Sequence, residues 1–96
     1  MTNLNTIKQI LLTLKPELSK KYHVSSIGLF GSVVRDDFNA SSDVDIIVDF
    51  NRPIGIEFID LADFIELKLK KSIDLVSRNG IKQKYYSTFE SEIIYV

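Results

Sequence analysis

The chain has 96 residues and no cysteine, and its twelve basic and thirteen acidic side chains leave a formal net charge of −1. That length predicts a single domain, because cores divide only above roughly 250 residues, and the missing cysteines exclude disulfide scaffolds, thiol nucleophiles and zinc ribbons, leaving oxygen donors or the single histidine for any metal. Near-neutral charge argues against a dedicated nucleic-acid binder, and with neither a membrane-length apolar run nor a charged-then-apolar leader the expectation is a soluble cytoplasmic protein.

Ile7, Ile10, Leu11, Leu14 and Leu18 recur at helical spacing and predict an amphipathic first helix. Asn3 or Asn5 can cap it, and Pro16 predicts a bend or break near its middle. Val24 to Phe30 reads as a buried strand, stopped by Gly31 and Ser32, with a brief helical turn from Ser32 to about Asp37. Asn39, Ala40, Ser41 and Ser42 form a polar loop. Asp43 to Phe50 is the second strand, rich in Val and Ile and acidic at its start. A helix from about Gly55 to Lys70 carries Phe58, Leu61, Ala62, Ile65 and Leu69 on one face. Ser72 to Val76 is a third short strand. Asn79 and Gly80 then punctuate, Ile81, Tyr85 and Phe89 suggest a last helix, and Ile93 to Val96 form an apolar tail. A helix between the second and third strands implies an α/β (α+β) architecture, a small mixed sheet backed by helices.

The net charge hides an asymmetry. From Asp36 to Glu66 there are nine acids against the single base Arg52, and from Lys68 to Lys84 six bases against the single acid Asp74. Most of these charges are expected on solvated faces. Three acids stand apart. Asp43 and Asp45, two residues apart on a strand, project to the same side, where adjacent carboxylates repel unless a cation lies between them. Asp74, flanked by Ile73, Leu75 and Val76, interrupts what would otherwise be core, and it converges with the pair if the second and third strands are neighbours. Such hard oxygen donors select magnesium or manganese, and a carboxylate trio can hold two ions about 3.5–4 Å apart for phosphoryl or nucleotidyl transfer. Gly31 lets backbone approach a phosphate, Ser32 adds a donor, and Arg35, one turn on, can touch a triphosphate or pair with a nearby acid.

Gly31-Ser32, ten intervening residues, then Asp43-Val44-Asp45, with Asp74 in the string Ile73-Asp74-Leu75-Val76, resembles the signature of the DNA-polymerase-β-like nucleotidyltransferases, and by size it is most similar to their minimal nucleotidyltransferase members. The resemblance implies a metal-dependent transfer of a nucleoside monophosphate, AMP from ATP, to a hydroxyl, with Asp43, Asp45 and Asp74 as catalytic metal ligands and Gly31, Ser32 and Arg35 as nucleotide-binding residues. It also implies a HEPN-domain partner, an RNase-type toxin to which the chain is the antitoxin. A length of 96 residues leaves no room for a second domain, so the acceptor is expected from another chain. One departure is Asp36-Asp37, where the family has glycine after the arginine; two added negative charges oppose triphosphate binding. That pair supports an alternative, a binding antitoxin with a weak or inactive site. A small-molecule (antibiotic) nucleotidyltransferase is a further alternative. Elsewhere, His23 is expected at the surface or in packing, Asp49 exposed at the far strand end, and Tyr85, Tyr86 and Tyr95 in core and rim.

Overall fold

The computed structural model describes residues 3–35, 38–39 and 41–96. Asp36 and Asp37, and with them the end of the expected turn and the departure from the family pattern, lie outside these residues, as does Ala40. The side chain of Asn3 accepts the Thr6 amide at 3.0 Å and caps the first helix, α1 (Leu4–Tyr22). Its apolar stripe, Ile7, Leu11, Leu18 and Tyr22, is buried. The break expected at Pro16 does not occur: the helix runs through it. Pro16 and Leu12, whose carbonyl it leaves without an intrahelical donor, both lie on the exposed side, while packing on either side of the proline keeps the rod in place. His23 ends the helix in the left-handed conformation, φ 61°, and its amide donates to the Leu18 carbonyl.

Four strands follow: β1 (Val24–Phe30), β2 (Val44–Phe50), β3 (Ile73–Ser77) and β4 (Ile94–Tyr95). They form one mixed sheet in the order β3-β2-β1-β4. β1 and β2 are antiparallel, β2 and β3 parallel, and β4 pairs antiparallel with the outer side of β1. The parallel pair needs a crossover, supplied by α2 (Glu57–Leu69). Alternation along the strands sorts the faces. Ile27 and Leu29 of β1 and Val44, Ile46 and Val48 of β2 meet Ile7, Leu11 and Leu18 of α1 and Leu61 and Ile65 of α2 in the core. Each is fully buried, so this layer is closed off from bulk solvent.

The opposite face carries Gly28, Phe30, Asp45, Ile47 and Asp74. A third helix, α3 (Gln83–Phe89), and the tail cover part of it: Phe89 stacks on Phe30 with centroids 4.2 Å apart, and Tyr86 meets Phe89 edge-on at 5.7 Å. The tail expected only as apolar is therefore an edge strand, secured by the Val96 amide on the Ile27 carbonyl at 2.9 Å. Gly28 is where it passes: a methyl group there would lie 2.6 Å from Ile93 Cγ2 and 3.2 Å from Ile47 Cγ2. Among the described residues, no helix is long and apolar enough to cross a membrane.

Candidate active site

Where β1 stops, the chain makes a tight 3-10 turn, Gly31–Val34, in place of the longer helical turn expected. Gly31 takes φ +74°, a conformation L side chains rarely adopt. It is also out of room, because a Cβ at this position would collide with Asp45 Oδ2 and lie 3.0 Å from Asp45 Cγ. The turn glycine and the strand aspartate are thus packed directly against each other. They meet because Phe30, the last residue of β1, is paired with Asp45. Ser32 follows, half-buried on the same turn.

The parallel register pairs Asp45 with Asp74, placing both on the face away from α1 and α2. Asp43 stands one residue ahead of β2, which begins at Val44 rather than at Asp43, and the Val44 amide donates to the Ser72 carbonyl at 3.0 Å. Asp43 and Asp74 are exposed and Asp45 half-buried. The cost of this grouping falls on Asp45. Burial, the largest cause, with the charges of Asp74 and Asp43, pushes its carboxyl up to about 6; Glu92 adds to the rise and Arg35 opposes it. No three His, Asp or Glu side chains among the described residues are already gathered at metal-coordinating spacing. The chemistry of the set still fits a hard divalent cation: clustered oxygen donors whose repulsion such an ion would relieve.

Arg35 leaves the turn pointing at Glu92, with Nη1 3.5 Å from Oε1. The same Glu92 oxygen accepts the Gly31 amide at 3.0 Å. Glu92 was not among the residues expected here. It ends a 3-10 turn, Glu90–Glu92, just ahead of β4, and no local pattern in the sequence marks it as a neighbour of Gly31.

The remaining expectations are met unevenly. Asp49 is half-buried, not exposed, and accepts the amide of Phe50 at 2.9 Å. It lines a separate cavity of about 190 Å³ with Arg78, Tyr86 and Tyr95. Tyr86 is buried beneath the Arg78 guanidinium, 3.7 Å from the ring centroid, while Tyr85 and Tyr95 are exposed. Lys71 Nζ lies over the Phe38 ring, 5.0 Å from its centroid.

Comparison with known proteins supplies the family of the chain. The nucleotidyltransferase domain family model matches residues 11–96. The protein adenylyltransferase MntA of Thermococcus cleftensis is 39% identical over 97 residues, covering all of this chain and 98% of that one. A provisionally named protein adenylyltransferase of Methanocaldococcus jannaschii, MJ0126, is 37% identical over the full length of both. In fold, the chain resembles a solved structure described as a provisional minimal nucleotidyltransferase, with a TM-score of 0.81 at 23% identity over 97% of this chain and 95% of that one. With the family match spanning nearly the whole sequence, the chain belongs to the nucleotidyltransferase domain family.

Proposed function

We propose that this enzyme transfers AMP from ATP to a hydroxyl group on a partner protein, releasing pyrophosphate. The observation that carries the reading is the junction of Gly31 with Asp45 and of Asp45 with Asp74, which brings the turn and the two strand acids to one rim of the sheet. Asp43, Asp45 and Asp74 would hold magnesium or manganese, which when bound supplies the positive charge that offsets the α-phosphate and the departing pyrophosphate. Gly31 and Ser32 hold the β- and γ-phosphates, and Arg35 draws the triphosphate by charge. Asp74, exposed on the edge strand, takes the proton of the acceptor hydroxyl. The acceptor oxygen then forms its bond to the α-phosphorus as the bond to pyrophosphate breaks. Most of the acceleration comes from positioning and charge, as in other phosphoryl transfers.

The names of relatives of matching length, protein adenylyltransferases, support a protein acceptor. The resemblance to minimal nucleotidyltransferases supports a HEPN-domain toxin as that partner, with the chain as its antitoxin. A second reading, neutralisation by contact with an inactive site, draws on the Glu92 carboxylate lying on the Gly31 amide. One experiment separates them: incubation with the partner, magnesium and α-labelled ATP. Label on the partner, lost in Asp43→Asn and Asp45→Asn, is the expected result. Neutralisation without label, unaffected by either change, would establish the second reading.

A further inference from the structure

Gly31 is buried, and a buried amide without an acceptor carries a desolvation penalty. Here the Glu92 carboxylate removes that penalty and lies 3.5 Å from the Arg35 guanidinium with the same oxygen. An anionic oxygen sharing a turn amide and an arginine is the arrangement a phosphate oxygen would make. The contact is made by the last residue of a 3-10 turn, Glu90–Glu92, that leads into β4, and the strand after it is anchored by its pairing with β1 and by the Lys15 Nζ bond to the Val96 carbonyl at 2.8 Å. Glu92 keeps this place although its charge is unfavourable to Asp45.

We propose that Glu92 is an internal stand-in for phosphate, seated on the Gly31 amide and Arg35 when no nucleotide is bound and displaced by the incoming triphosphate. This rests on the reading of Gly31 as a phosphate-binding residue. Each binding event exchanges one acceptor for another, so Glu92 lowers nucleotide affinity while keeping the empty turn in its bound shape. Glu92 thereby sets the nucleotide concentration at which the enzyme loads.

The test is equilibrium binding of ATP, inorganic pyrophosphate and adenosine to the full chain in magnesium, for wild type, Glu92→Gln and Glu92→Ala. Both variants should bind ATP and pyrophosphate roughly three- to tenfold tighter, the span expected for the net contribution of one ordinary hydrogen bond. Adenosine, which has no phosphate, should bind all three proteins alike. Unchanged or weaker binding of ATP and pyrophosphate to the variants, with wild type binding normally, would overturn the proposal alone; weaker binding would make Glu92 a ligand of the nucleotide–metal complex. Equal tightening for adenosine would show a general change of the site and would also overturn it. Failure of all three proteins to bind ATP would remove the phosphate-binding reading itself and this inference with it.

Discussion

Asp45 and Asp74 are register partners across the parallel junction of β2 and β3, side by side on the face that α1 and α2 leave uncovered. Asp45 is half-buried and Asp74 exposed, so two carboxylates one strand apart have different surroundings. Their substitution should have different consequences.

Asp74→Asn should leave folding almost unchanged, within about 0.5 kcal/mol, because the side chain is exposed. AMP transfer should fall roughly 10²- to 10⁴-fold, the usual effect of losing a group that takes a proton in the reaction. Thermal melts and single-turnover labelling of the partner measure the two effects separately. A variant with full transfer would take Asp74 out of the reaction.

The metal-free protein should become less stable as its Asp45 ionises. The folded-state carboxyl is pushed up to about 6 from 3.8, so the stabilisation is complete below about pH 4 and is lost as pH rises through 6. Because water still screens this half-buried group, the size is on the order of 1 kcal/mol. The difference in urea midpoint between wild type and Asp45→Asn, followed from pH 3.5 to 7, isolates it from the other carboxylates. Asp45→Asn should gain relative to wild type as pH rises. Magnesium should narrow the gap at neutral pH, by stabilising the wild type alone.

Gly31→Ala combines a left-handed backbone with a collision. The conformation alone costs about 1–2 kcal/mol for a residue with a Cβ, and the Asp45 carboxylate must also move. Melting should drop by several degrees and transfer should be lost even at temperatures where the variant is folded. A wild-type rate in this variant would rule out the close approach as a requirement of the site.

Gly28→Ala should act at a distance. The added methyl meets Ile93 at 2.6 Å and pushes the tail away from β1, with overpacking of this kind costing about 1–3 kcal/mol. Ile93→Ala opens the space, so the double variant should be more stable than the sum of the single changes predicts. Additive losses in denaturant unfolding would place the strain elsewhere.

Much of this arrangement was legible in the sequence. The bounds of β1 follow from an apolar run closed by Gly31-Ser32, and the Asn3 cap and the buried stripe of α1 from side-chain chemistry and period. The adjacency of Asp45 and Asp74 required only that the second and third strands be neighbours. What local pattern could not supply was tertiary. Pro16 lies in a helix because packing at both its ends outweighs one missing hydrogen bond. β4 is two residues long and acquires its identity only by pairing with β1. Glu92 was hidden for the same reason: nothing near it in sequence shows that Gly31 lies across from it.

The Phe30–Asp45 pair also closes the mouth of the β1–β2 hairpin. Zipping these two strands therefore brings the turn glycine onto the aspartate without help from the rest of the chain. Asp74 arrives through the α2 crossover, and Glu92 comes on a short turn just ahead of a strand with only two pairing positions. The constellation is a hierarchy of attachments, from a durable hairpin to a lightly fastened strap. Native-state hydrogen exchange should read it as slow amides in the middle of β1 and β2 and fast ones at Ile94 and Val96. The part of the site formed by Gly31 and Asp45 would then outlast, in any partial opening, the part held by Glu92.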